Sequence, residues 1–146
     1  MSPMLTNKTL WQTAIVLRSD AGGQPAHLAE QEIAVQTISW DDFAKVELRV
    51  GRVVSAEVFR GARKPAYVLR VDFGEEIGIK KSSAQIAGLY KPEELVGKLV
   101  VAVVNFPAKQ IGPLMSECLV TGFQDENGEV ALCVPDKPVP LGAKLA

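Results

Sequence analysis

Apolar and polar positions alternate along Tyr67-Val68-Leu69-Arg70-Val71-Asp72-Phe73, with Tyr67, Leu69, Val71 and Phe73 on one side. A period of two predicts a strand with one face in a core. The run from Val46 to Phe59 reads as one long strand whose phase changes around Gly51. Such a change suits a bulge or bend, where a strand passes from one side of a barrel to the other. Ile77 to Ser83 reads as a third strand, interrupted by Gly78. Leu99 to Val104 is uniformly apolar and β-branched, which predicts a strand buried on both sides. Glu117 to Phe123 and Glu129 to Pro135 pair across Asp125-Glu126-Asn127-Gly128, where Asn-Gly is a strong hairpin signal.

Helical pattern is brief. Ser39 followed by Asp42 is a capping-box spacing, so a short helix through about Lys45 is expected, with Trp40 and Phe43 as apolar anchors. Ala84 to Tyr90 and Pro92 to Val96 read as short helical pieces; Pro92 suits a first helical position, and Glu93 and Glu94 suit the positive end of the dipole. Three strands, a helix, then further strands is the order of an oligonucleotide-binding (OB) barrel. The expected fold class is therefore all-β with short helices: a five-stranded Greek-key OB barrel plus extra C-terminal strands. Pro135, Pro138 and Pro140 predict an extended tail. Residues 1–37 read as an extension, with a strand or helical turn at Leu10 to Arg18, a breaker at Gly22-Gly23, and a helix from Ala26 to Val35. The domain proper is taken as residues 38–146.

A chain of 146 residues with 47% apolar residues supports one folded domain with a real core and excludes disorder. No apolar run reaches the roughly eighteen residues of a membrane span. Met1-Ser2-Pro3-Met4-Leu5 lacks the basic and apolar regions of a signal peptide, so a cytoplasmic protein without membrane insertion is expected. Cys118 and Cys133 each sit in an apolar, strand-like run and read as buried thiols rather than a disulfide framework.

Net charge is −1, which by itself argues against a partner that is held through its phosphates. The distribution argues differently. Between Arg49 and Arg70 there are six cations (Arg49, Arg52, Arg60, Arg63, Lys64, Arg70) against Glu57 alone. One third of a barrel could present a positive face; strand arginines could equally be solvating an outer surface.

The polar clusters favour binding over bond breaking. Lys80-Lys81-Ser82-Ser83 ends the third strand, and adjacent residues point to opposite faces, so one lysine and one serine share each face. Asn105 emerges from a buried strand into Phe106-Pro107; its amide could read a base edge or cap the loop backbone. Lys109 follows in a loop punctuated by Pro107, Gly112 and Pro113, and Met115-Ser116 closes it. Met115 could pack on a base or fill a core. Arg63-Lys64-Pro65-Ala66-Tyr67, between the first two strands, could funnel phosphates. Two tyrosines and five phenylalanines, few of them on strands, make a poor stacking platform, which favours RNA shape and backbone over a base string. His27, the sole histidine, has no ligand grouping around it, and no phosphate loop or nucleophile elbow is present. Neither enzymatic activity nor a cofactor or metal is expected.

Several blocks resemble one known family. Asp42-Phe43, Leu48-Arg49-Val50-Gly51, Ala62 to Tyr67, Asp72-Phe73-Gly74, Lys80 to Ile86, Asn105-Phe106-Pro107 and Lys109 to Gly122 look like the tRNA-binding domain, an OB barrel found free-standing and appended to tRNA synthetases. Within it the chain is most similar to the bacterial CsaA proteins, described as export-related chaperones. The resemblance spans roughly Ile38 to Ala146. It implies tRNA binding, with Lys80 and Ser82, or Lys81 and Ser83, on phosphate or ribose, and with Arg63, Lys64, Asn105, Lys109, Met115 and Ser116 as further candidates. It also implies chaperone binding of unfolded or export-bound polypeptides through Phe106, Ile111, Leu114 and Met115, and a homodimer. A different role is as an assembly domain that docks on a synthetase or secretion component.

Overall fold

The computed structural model describes residues 35–145, and the chain divides between Phe43 and Ala44 into two units. The readings for residues 10–18, for most of 26–35 and for His27 lie outside the described residues. A short helix, α1 (Trp40–Ala44), opens them. The Ser39 hydroxyl accepts from the Asp42 amide at 3.0 Å and Asp42 accepts from the Ser39 amide at 3.4 Å, the reciprocal cap its spacing predicts. Trp40, expected as an anchor, is instead 85% exposed, and Phe43 is exposed as well. A five-residue helix has no face wide enough to cover an indole.

From Ala44 onward the chain builds a nearly closed barrel. Its strands are β1 (Leu48–Val58), β2 (Tyr67–Asp72), β3 (Ile79–Ala84), β4 (Leu99–Val103) and, further on, β7 (Leu119–Val120). All pairings are antiparallel, in the order β3-β2-β1-β4-β7. A short helix, α2 (Pro92–Leu95), precedes β4 and drops Leu95 into the core. Pro92 stands at its start, and Glu94 accepts from the Lys91 amide at 2.9 Å. Ala84 to Tyr90, expected to be helical, is instead extended and then a turn, held by one bond from the Tyr90 amide to the Ile86 carbonyl. Two hairpins complete the fold: β5 (Lys109–Ile111) with β6 (Leu114–Ser116), and β8 (Gly122–Gln124) with β9 (Val130–Leu132). The second turns through Asn127-Gly128, with Gly128 at φ 83° and Asp125 accepting from the Asn127 and Glu129 amides.

Alternation along β2 is as the sequence predicts: Tyr67, Leu69 and Val71 face in and Arg70 faces out. They meet Val53, Phe73, Val100, Ala102, Leu95 and Cys118 in one core. The irregularity in β1 falls between Val53 and Ser55, not at Gly51. Gly51 has another use. A β-carbon there would lie 2.5 Å from Val71 and 2.7 Å from Phe73, so glycine lets β2 close onto β1.

The C-terminal segment is laid back on the start of β1. The Val50 amide donates to the Ala143 carbonyl at 3.0 Å, the Gly142 amide donates to the Val50 carbonyl at 2.7 Å, and Arg49 and Lys144 form an antiparallel β-bridge. Arg49 Nε donates to Glu47 at 3.1 Å and its Nη1 to the Gly142 carbonyl at 2.9 Å; Lys144 lies 3.3 Å from the other Glu47 oxygen. The Arg49 guanidinium, then Lys144, hold the Glu47 carboxyl below its ordinary value of 4.5. A depressed carboxylate stabilises the fold fully above that ordinary value and loses its contribution as pH falls through the folded value. Glu47→Gln is therefore expected to lower stability near neutral pH and to flatten the acid limb of a stability–pH profile below about 4.5. Denaturant unfolding at several pH values checks this; an acid limb as steep as the wild type's rules Glu47 out as its source.

Candidate nucleic-acid interface

Three segments meet on the outer side of β2 and β3. The first is the 59–66 loop joining β1 to β2, closed by a bond from the Phe59 amide to the Ala66 carbonyl at 2.9 Å. The second is the β5–β6 hairpin, whose tip rests on that loop. Pro113 stands so close to Gly61 that a β-carbon there would lie 2.6 Å from it, and a β-carbon on Gly112 would lie 2.9 Å from the Gly61 carbonyl oxygen. Phe59, Ala66 and Leu114 form a small second core under this contact, with Ala62, Ile111 and the outward Val68 packed on it. The third segment is β3, whose free edge the chain following β6 closes. The Glu117 amide donates to the Lys81 carbonyl at 2.7 Å, the Lys81 amide to Glu117 Oε1 at 2.9 Å, and the Ser83 amide to Ser116 Oγ at 3.3 Å.

This geometry sorts the residues expected at the site. Arg63 and Lys64 are exposed in the loop, and Arg60 lies beside them. Lys81 and Ser83 face outward, opposite Arg70 and Val68. Lys80 and Ser82 face inward, opposite Val71 and Leu69. Ser82 is 1% exposed, and Lys80 is partly buried near the Cys118 thiol. Burial pushes that thiol up to about 12, with the Lys80 charge opposing the shift. Ser116 is fully buried; its hydroxyl accepts from the Ser83 amide and donates to the Cys118 carbonyl. Neither Ser82 nor Ser116 presents its hydroxyl to a ligand here. Their work is inside, at the seam between β3 and β6.

Asn105 takes the capping role that its position also allowed. Its Oδ1 accepts from the Glu47 amide at 3.0 Å and its Nδ2 donates to the Lys45 carbonyl at 2.6 Å. That places its amide at the start of β1, whereas the 59–66 loop follows the end of β1. Lys109 is partly buried opposite Ser116, Phe106 is partly buried, and Met115 is exposed opposite Gln110. Ile111 and Leu114 point into the small core. Arg70, one of the six cations from Arg49 to Arg70, is a further exposed charge on this surface. The β2 alternation places it outward, and the β2–β3 register, which periodicity does not supply, sets it against Lys81.

Of the remaining cations in the Arg49–Arg70 run, Arg49 is tied to Glu47 and Arg52 donates to the Gly97 carbonyl at 3.0 Å. Among the described residues no group of three His, Cys, Asp or Glu could hold a metal ion, and no helix is long and apolar enough to cross a membrane.

Residues 48–144 match the sequence family described as "Putative tRNA binding domain". The chain belongs to that family. It is 40% identical over 111 residues to the methionine–tRNA ligase of Pyrococcus abyssi, and 42% over 108 residues to that of Methanothrix thermoacetophila. Each match covers 74% of this chain but only 14% and 15% of the ligase, so the chain spans a small part of these relatives. Among solved structures it is similar to the chaperone CsaA of Bacillus anthracis, with a TM-score of 0.72 and 46% identity over 76% of this chain and all of that one. The CsaA chaperone protein of Picrophilus torridus is matched at a TM-score of 0.71 and 47% identity, over 75% of this chain and all of that one.

The buried serine yields a prediction. Ser116→Ala leaves the Ser83 amide without its partner at the β3 edge, so it is expected to cost about 1–3 kcal/mol. Urea unfolding measures this. A loss under about 0.5 kcal/mol would mean that the amide is satisfied without the hydroxyl.

Proposed function

We propose that this protein binds tRNA through the outer side of β2 and β3 and the loops flanking it, with cations holding the phosphodiester backbone. The observation that carries the reading is the seating of the hairpin on the 59–66 loop. It gathers Arg60, Arg63 and Lys64 against the hairpin that carries Lys109 and Met115, on the side where Lys81 and Ser83 face out. The tRNA-binding family match supports it. The candidates that can touch RNA directly are then Arg63, Lys64, Lys81, Ser83 and Met115, with partly buried Lys109 reaching it only by the end of its side chain. Lys80, Ser82 and Ser116 shape the site from behind, while Asn105 caps the start of β1. Phosphate contacts position RNA without reading its sequence, which fits the scarcity of stacking aromatics.

A mobility shift with total tRNA at two salt concentrations tests this. Arg63→Ala/Lys64→Ala is expected to weaken binding to all tRNAs alike. It should also flatten the slope of log affinity against log salt by roughly one to two units. Unchanged affinity and slope would remove the loop from the site.

Chaperone binding of unfolded or export-bound polypeptides is the second reading. Its support is similarity, over 76% and 75% of this chain and all of theirs, to two proteins named as CsaA chaperones. It draws on exposed Met115 and partly buried Phe106 and Ile111; Leu114 is buried and holds the hairpin down. An aggregation-suppression assay run beside the mobility shift separates the two, since apolar peptide binding does not weaken with salt. A docking role on a synthetase draws on the matching segment of the methionine–tRNA ligases. Each of these roles belongs in the cytoplasm, and the domain acts by binding rather than catalysis.

The reading includes a homodimer. Trp40 and Phe43 in the first unit, and Phe123, Val134 and Leu145 in the second, are exposed large apolar residues, and each set is the kind of surface a two-fold contact covers. Light scattering at micromolar concentration is expected to give twice the chain mass; the mass of one chain excludes the dimer.

A further inference from the structure

Ser55, Arg70 and Lys81 lie in one row across β1, β2 and β3, each directly opposite the next. Directly opposed residues of antiparallel strands point to the same side, with β-carbons about 5 Å apart. Arg70 is exposed and Lys81 is partly exposed on the outer surface. Two cations so placed repel each other, and like charges directly opposite destabilise a sheet. Among the described residues neither is ion-paired with a carboxylate, whereas Arg49 and Lys144 are. Glu117, beside Lys81 in the chain that closes β3, turns Oε1 to the Lys81 backbone amide. Asp72, the next outward residue of β2, accepts from the Gly74 amide. Glu57 lies one row further along, opposite Val68.

We propose that Arg70 and Lys81 form a two-cation seat for one phosphodiester of bound RNA, with the Ser55 hydroxyl at its margin. The inference rests on the RNA reading above and adds Arg70 to it. The seat abuts the hairpin, because Val68, the next outward residue of β2, is packed under Ile111 and Leu114. A guanidinium offers two parallel donors to a phosphate and an ammonium adds a point charge, so an anion turns the repulsion into a shared attraction.

The pair separates function from stability, and that makes it testable. Arg70→Gln removes the repulsion and the phosphate contact together. It is expected to raise the melting temperature of the free protein by about 1–4 °C. The same variant should bind tRNA about tenfold more weakly, with a salt slope shallower by roughly one unit. Lys81→Gln should behave the same way, and the double variant should melt no higher than either single one, since the repulsion is already gone. Lys137→Gln, on the C-terminal segment, is the control and should change neither slope nor affinity. Wild-type binding with Arg70→Gln equal to it in affinity and slope overturns the seat while leaving the RNA reading standing. A wild type that fails to bind tRNA overturns both. A variant that binds weakly but melts lower than wild type also overturns the proposal, because Arg70 would then be supporting the fold.

Discussion

Closure of the β3 edge is the constraint on which the rest of this domain depends. An edge strand leaves amides and carbonyls without partners, and a barrel is stable only when they are satisfied. Here β3 cannot reach a full strand on its open side. Glu117 and Ser116 do the work instead, one with its amide and carboxylate on Lys81, the other with a buried hydroxyl on the Ser83 amide. The same three bonds fix the hairpin that ends at Ser116. The hairpin in turn presses Leu114 and Ile111 onto Phe59, Ala62 and Val68 and fixes the loop that carries Arg60, Arg63 and Lys64. Closure of the barrel and seating of the loop thus rest on the same contacts.

That coupling explains why two serines of an apparently polar cluster are inside. Ser82 and Ser116 stand in a sequence stretch that reads as a binding loop, and residue type alone suits them to a phosphate or ribose. Alternation correctly splits Lys80 and Ser82 from Lys81 and Ser83, but periodicity does not say which pair faces the core. The register with β2 decides it: Leu69 opposite Ser82 is fully buried, and Arg70 opposite Lys81 is exposed. Fold class was legible for a related reason. The β2 alternation, the apolar run from Leu99 to Val104 and the Asn127-Gly128 turn are local signals, each with one structural solution. What local signals could not supply is contact across long separations. Gly51 looked like the bend in β1 because glycine often marks one. Its need arises from Val71 and Phe73, twenty and more residues away, while the register shift sits near Val54.

Charge shows the same division between what composition counts and what topology uses. The six cations from Arg49 to Arg70 look like one positive face. The fold disperses them. Arg49 secures the C-terminal segment through Glu47 and Gly142, and Arg52 holds the end of α2 through Gly97. Loop cations and Arg70 remain on the side where Lys81 emerges. A chain with net charge −1 can still present a local positive field, because field depends on the few charges within a Debye length, about 10 Å at moderate salt, rather than on the sum.

The hairpin also bears on how RNA and polypeptide could share one small domain. Its apolar side is already occupied: Leu114 is buried, and Ile111 packs on the loop. Only Met115, with Gln110 opposite, is turned outward. A peptide seeking apolar surface here would find one flexible methionine beside cations. An RNA would find the same methionine as a soft surface for a base and those cations as phosphate partners. On the proposed reading both ligands therefore meet the same outward strip of the hairpin. The inward strip must stay closed for either to bind, since opening it would release the loop cations and leave the β3 amides unpaired.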